Sequence, residues 1–185
     1  MAPYHHMLAH FPVALLSLAF LLMLYRGLVA SDQSRRLENV VLLPCLLLGI
    51  AGGLGALLSG LWIWPIEGTL ASTMGRNKLL MALWMLALWS AIALLRWRGG
   101  DAIWSGMSRL VMLILGAIAT ILLTTTATLG GHLLGSPSRF SGLLQQMGWN
   151  VYQTYFVPDW VLIIMLLVGV AGIAAGLASR RRHTA

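Results

Sequence analysis

Five long apolar runs constrain the fold of this chain more than any other feature. Each approaches or exceeds the roughly 20 residues that an α-helix needs to cross the hydrocarbon core of a bilayer. Lipid offers no hydrogen-bond partners to the backbone, so such runs are expected to be helices and not strands. The sequence therefore predicts an all-α integral membrane protein, a single domain over residues 1–185. Its five transmembrane helices are predicted at about 8–29, 40–62, 79–95, 110–134 and 157–178.

Composition agrees with a lipid environment. Hydrophobic residues make up 59% of the chain and charged residues only 9%, and the mean hydropathy is +0.85. A soluble domain of this size cannot bury so much apolar surface. The net charge of +7 is carried by short basic clusters between the apolar runs, so it indicates membrane topology and no nucleic-acid partner is predicted. Cys45, the single cysteine, excludes a disulfide framework and is expected to be a small packing residue.

The basic residues also predict an orientation. Nine of the twelve fall on one side of the predicted topology: Arg26, Arg35, Arg36, Arg96, Arg98, Arg109, Arg180, Arg181 and Arg182. The other side holds Arg76, Lys78 and Arg139. Cytoplasmic loops carry the excess of Lys and Arg, so the N-terminus is predicted to be periplasmic and the C-terminus cytoplasmic. The expected location is the inner (cytoplasmic) membrane of a bacterium, with several spans.

Four of the five histidines fall on the predicted periplasmic side. His5, His6 and His10 lie at the start of the first helix, and His132 lies at the end of the fourth. Haem b in a membrane bundle is typically held by neutral imidazoles from two helices. His10 and His132 fit that pattern as axial ligands, with His5 as the alternative to either. His5 and His6 fit equally well a short lead-in at headgroup level that binds nothing.

Two further features bear on a haem site. The stretch "GIAGGLGALLSG" in the second helix supplies small residues that would make room for a macrocycle, although close helix packing alone explains it at least as well. Haem propionates would need cations at the outer surface, and Arg76, Lys78 and Arg139 are the ones available there. These six side chains, His5, His10, His132, Arg76, Lys78 and Arg139, form the predicted haem-binding set.

A copper site is a second metal hypothesis. His6 and His10 lie four residues apart and share a face if the helix begins near Pro3, and Met7 stands between them. Imidazole and thioether ligands suit copper. Pro12 favours a later helix start, because proline is tolerated in the first turn and disruptive further on. With such a start, His6 leaves the shared face.

Other patterns limit the function classes. All five acidic residues fall in loops or at span ends, which argues against a proton relay or an ion-coupled transporter. Residues of about 138–151 carry apolar side chains at helical spacing and predict an amphipathic helix on the outer surface. Such a helix would coat the interface, cap a cofactor or dock a periplasmic partner. No arrangement typical of a hydrolase nucleophile is present.

The opening stretch "HHMLAHFPVALL" resembles a family of bacterial membrane proteins of unassigned function. Its N-terminal motif is His-Pro-x-x-Val-His-Phe-Pro-Ile-Ala-Leu. His5 and His10 match the two motif histidines, His6 stands at the proline position, and further matches are Phe11, Pro12, Ala14 and Leu15. "LSGLWIW" and "LGGHLLG" look like the later small-residue motifs of the family. The resemblance covers the first four helices and implies the fold more than the chemistry. A histidine typical of the third span is missing, which implies fewer ligands.

The functional hypothesis from sequence is a b-type cytochrome membrane subunit. It would pass electrons between the membrane quinone pool and a periplasmic partner such as a cytochrome c or a dehydrogenase. One alternative is a cofactor-free accessory subunit that joins other membrane subunits, or a homo-oligomer, through the small-residue stretches "GIAGG" and "GIAAG". The other alternative is copper binding by His5, His6, Met7 and His10.

Overall fold

The computed structural model describes residues 2–150 and, beyond them, Trp160, Ile163, Ile164, Leu167 and Val170. All regular structure in these residues is helical. A π-helical turn, Glu38–Leu42, joins the second and third helices, and a 3₁₀ turn, Gly100–Trp104, follows the fifth. The helices are α1 (Ala2–Leu28), α2 (Asp32–Leu37), α3 (Leu43–Ile63), α4 (Ile66–Ala71), α5 (Thr73–Gly99), α6 (Gly106–Leu133) and α7 (Arg139–Gln146).

Four helical stretches within the described part of the chain are long and apolar enough to cross a membrane. They are Met7–Leu28, Asp32–Ile63, Thr73–Trp104 and Gly106–Leu133. They correspond to the first four predicted spans. The all-α expectation is confirmed for this part, and its four long apolar helices suggest a multi-pass membrane protein. Apart from the five isolated positions, the predicted fifth span at 157–178 lies outside the described residues. The count of five spans stays a prediction.

The four long helices form a bundle in which each packs against two others. α1 contacts α3 and α6, and α5 contacts the same two helices. Successive helices run in opposite directions, so the starts of α1 and α5 meet the last turns of α3 and α6 at one end. We call this the histidine end. We call the opposite end, where Glu38 meets Arg96, the arginine end.

α1 begins at Ala2, six residues before the predicted start, and continues through Pro12. Neighbouring helices make proline tolerable inside a membrane helix. Here the neighbour is α3, which approaches so closely that a Cβ added at Gly52 would lie 3.3 Å from Pro12 Cδ. The early start places the backbones of His5, His6 and His10 on one helix.

At the arginine end, helices extend past the predicted spans because ion pairs join them. Glu38 is 1% exposed and accepts from two nitrogens of Arg96, with Nη2 at 3.1 Å from Oε2. Arg96 Nη2 also donates to Asn39 Oδ1 at 2.6 Å. Arg35 and Asp101 form a second, more exposed pair at 2.5 Å. These bonds tie the π-helical turn to the end of α5 and to the 3₁₀ turn.

Small residues allow the helices to pack closely. In lipid, helix association depends on such packing more than on the hydrophobic effect. A Cβ added at Gly49 would lie 2.6 Å from Leu16 Cδ2, and one at Gly53 would lie 2.8 Å from Leu86 Cδ2. Cys45 is buried in the same core, which confirms its predicted role as a packing residue.

The predicted amphipathic segment forms α7, which is shorter than expected. Ser138 caps it by accepting from Ser141 N at 3.3 Å, and the Ser138 hydroxyl lies 2.9 Å from Thr128 Oγ1 on α6. Leu144 packs on Leu129, so α7 lies against the histidine end of α6. Trp160 Nε1 donates to Met147 O at 3.0 Å just beyond it.

Candidate functional site

A cavity of about 510 Å³ opens at the histidine end, between α1, α3, α5 and α6. This volume lies in the range of roughly 300–1,000 Å³ that is typical of small-molecule and cofactor sites. Most of its wall is apolar, and its ionisable groups are His5, His10 and Lys78. All three are basic. The cavity therefore combines an apolar interior with nitrogen-bearing side chains at one end of the bundle.

His5 is held in a defined orientation by α3. Its side chain is 7% exposed, and its Nδ1 lies 2.9 Å from the hydroxyl oxygen of Ser59. That hydroxyl donates its only proton to the carbonyl of Ala56 at 3.1 Å. The imidazole tautomer with its proton on Nδ1 fits this arrangement, because Ser59 can then accept from His5 while it donates to Ala56.

Gly60 explains why His5 can approach α3 so closely. A Cβ added at Gly60 would lie 3.1 Å from the Cε1 atom of His5, closer than nearly all real contacts of this kind. The imidazole thus packs on the bare backbone of α3. The small-residue stretch of α3 makes room at this position for a side chain of α1.

Trp64 links His5 to Lys78 across the cavity mouth. Its ring meets the His5 ring edge to face, with centroids 5.9 Å apart and planes at 78°. The ammonium nitrogen of Lys78 lies 5.9 Å from the centroid of the same indole, within reach of a cation–π interaction. The three side chains come from α1, from the residue that follows α3, and from α5. The tertiary fold brings them together.

The other predicted ligands lie in different positions. His10 lines the cavity and is exposed. His132 lies in the last turn of α6, partly exposed, and is not among the residues that line the cavity. The backbone of His6 belongs to α1, while its side chain is outside what the structure describes. The cavity thus contains His5 and His10 but not the predicted pair of His10 and His132.

The three cations predicted to bind haem propionates do not all lie at the cavity. Lys78 lines the cavity, whereas Arg76 and Arg139 do not. Arg76 donates from Nη1 to Leu70 O at 2.8 Å, which directs it towards α4. Arg139 is exposed at the first position of α7. Of the three cations, only Lys78 is placed to meet a ligand in the cavity.

No cluster of three or more His, Cys, Asp or Glu side chains that could hold a metal ion occurs among the described residues. The copper hypothesis also needs the Met7 thioether close to the histidines, and the Met7 side chain is 64% exposed. The cavity offers one oriented imidazole, His5, and a second, His10, on the same helix.

Sequence reasoning missed Ser59 and Trp64 as site residues. Ser59 entered the prediction only as part of the small-residue stretch of α3, and no role in a site was predicted for Trp64. A signal was present for Ser59, since it is the one hydroxyl in an otherwise apolar, glycine-rich stretch. Nothing in the sequence connects Trp64 with Lys78.

No family model, curated protein or solved structure matches this chain. The resemblance carried by "HHMLAHFPVALL" stays a likeness of motif.

Proposed function

We propose that this chain is a b-type cytochrome membrane subunit that binds one haem in the histidine-end cavity through His5. The observation that carries the proposal is the contact of His5 Nδ1 with the Ser59 hydroxyl, which itself bonds to Ala56 O. Metal-binding histidines almost always donate their second ring N–H to an acceptor, which fixes the tautomer and raises the basicity of the ligating nitrogen. His5 has that arrangement in the wall of a cofactor-sized cavity.

Helix geometry favours His5 over the pair predicted from sequence. His5 and His10 are five residues apart on α1, so their directions differ by about 140° around a single axis. Two side chains of one short helical stretch cannot clamp a flat macrocycle from both sides. His132 lies outside the cavity lining, and the α5 and α6 walls contribute Lys78 and glycines instead of an imidazole. His5 is therefore the residue that would hold the haem iron, and His10 lines the same cavity.

The proposed role is electron transfer at the periplasmic side of a bacterial inner membrane. A haem bound near that face would supply a one-electron carrier between the membrane quinone pool and a periplasmic cytochrome c or dehydrogenase. The cavity lies at the end with the fewer basic residues, and that distribution supports a periplasmic placement.

The test is a reduced-minus-oxidised visible spectrum of detergent-purified protein, with a pyridine haemochrome assay on the same sample. We expect about one haem b per chain. His5→Ala should abolish the signal. Ser59→Ala should weaken haem binding by about 10–100-fold, the usual effect of removing the group that orients a metal ligand. His132→Ala is the matched control, a histidine at the same end outside the cavity, and should retain the haem.

Two outcomes would overturn the proposal. One is a folded, monodisperse protein without haem, and the other is a His5→Ala variant with an unchanged spectrum. Metal analysis of the same sample would then separate the alternatives. Bound copper would support the copper hypothesis, and a colourless, metal-free protein that purifies only with partners would support an accessory subunit.

A further inference from the structure

Lys78 carries a positive charge into an apolar cavity. It lies in the second turn of α5, is partly buried, and lines the cavity beside Trp64. Gly130 on α6 gives it room, since a Cβ added there would lie 3.5 Å from the Lys78 Nζ atom. The ammonium group is thus held between an indole face and bare helix backbone.

None of the described residues that line the cavity carries a negative charge to balance Lys78. None of the three ion pairs found among the described residues includes it. The described part of the lining includes His5, His10 and Lys78 but neither Asp nor Glu, and Glu67 of the adjacent α4 is exposed outside the lining. A charge in apolar surroundings is costly unless a counter-charge accompanies it. A ligand that enters the cavity can bring such a counter-charge to Lys78.

We propose that the cavity selects apolar ligands that carry a carboxylate, with Lys78 as the counter-ion. Leu57, Met85 and Leu123 line the apolar part that would receive the ligand body. Two sources share this chemistry: a haem propionate, in which case the inference rests on the proposed function, and a free long-chain fatty acid from the membrane. Lys78 would favour the carboxylate of either ligand.

The experiment compares acids with matched neutral analogues, using the full chain in non-ionic detergent. Oleate is compared with oleyl alcohol by titration with radiolabelled ligand. Wild type should bind the acid about tenfold or more tightly, the size expected for a charge-assisted hydrogen bond. Lys78→Met should remove most of that preference, and Lys78→Arg should keep it. Arg139→Gln, which removes an exposed cation at the same end, is the matched control and should change nothing.

A second pair of ligands separates this inference from the haem proposal. Haemin is compared with its dimethyl ester, which lacks free carboxylates. Lys78→Met should lower the affinity for haemin and leave the affinity for the dimethyl ester unchanged. If no haem binds but the oleate preference depends on Lys78, the haem proposal fails and this inference stands. This inference is overturned if wild type prefers neither oleate over oleyl alcohol nor haemin over its dimethyl ester. It is also overturned if Lys78→Met leaves both preferences unchanged. If haem binds in either case, the haem proposal stands.

Discussion

At the scale of single residues, the carboxylate of Glu38 lies entirely inside the protein, where the chain passes through a π-helical turn. It is paired with Arg96, whose side chain is only 12% exposed. In Glu38→Gln, Arg96 loses its buried, hydrogen-bonded counter-ion and keeps, among the described residues, only Asp101, 3.9 Å away. Glu38→Gln should therefore lower the free energy of unfolding by about 3 kcal/mol. Reversible unfolding in mixed micelles measures the change, and a double-mutant cycle with Arg96→Gln isolates the coupling.

The second ion pair at the arginine end supplies the control. Arg35 and Asp101 have side chains that are 57% and 34% exposed, so water screens their attraction. The cycle of Arg35→Gln with Asp101→Asn should give a coupling below about 1 kcal/mol. Equal coupling in the two cycles would contradict the structural role that we assign to the burial of Glu38.

At the scale of helices, Gly49 sets how closely α1 and α3 can approach. Leu16 occupies the space that a side chain at position 49 would need, and Leu16 is itself fully buried. Gly49→Ala should destabilise the bundle by about 1–3 kcal/mol, as expected for overpacking. The same unfolding assay measures it, and adding Leu16→Ala should recover part of the loss by clearing the contact.

Gly142 is the matched control for a glycine without close neighbours. It lies within α7, and a Cβ added there meets nothing within 4 Å. Gly142→Ala should be neutral or stabilising, because alanine has the higher helix propensity. Destabilisation of the same size in both variants would show that the close contact between Gly49 and Leu16 is not the cause.

Helix boundaries show how far sequence reasoning extends. Hydropathy locates the first four spans because it measures the part of a helix that must be apolar in lipid. It misses the polar extension from Asp32 to Asn39, since that segment remains helical through partners distant in sequence, Arg96 and Asp101. The early start of α1 matches the alternative on which the copper hypothesis depended and not the predicted span. Pro12 argues against it locally, and the glycines of α3 accommodate the proline.

The candidate site was predicted only in part. The sequence predicts His5, His10 and Lys78 at one membrane face, and in the structure all three line one cavity. It could not show that Ser59 orients His5, or that Trp64 stands between His5 and Lys78, because these contacts join three different segments. His132, in contrast, was predicted as a ligand but does not line the cavity. It lies at the same end of the bundle but outside the cavity lining, since position along a helix does not fix which side of the helix a residue occupies.

At the scale of the whole molecule, the two ends of the bundle differ in charge. Among residues 2–150, the arginine end holds six basic residues: Arg26, Arg35, Arg36, Arg96, Arg98 and Arg109. The histidine end holds Arg76, Lys78 and Arg139. The end with more Lys and Arg is expected to stay in the cytoplasm. The candidate cavity, at the other end, should therefore open towards the periplasm.

Single cysteines at the two ends test this orientation. Gln33→Cys marks the arginine end and Ser136→Cys marks the histidine end, and both positions are exposed. The native Cys45 is buried, so wild type gives the background. In intact bacterial cells a membrane-impermeant maleimide should label Ser136→Cys, and it should label Gln33→Cys only after lysis. The reverse pattern would place His5 and Lys78 at the cytoplasmic face. A periplasmic electron-transfer partner would then have no access to the site, although the ligand-binding experiments would keep their meaning because they depend only on the cavity.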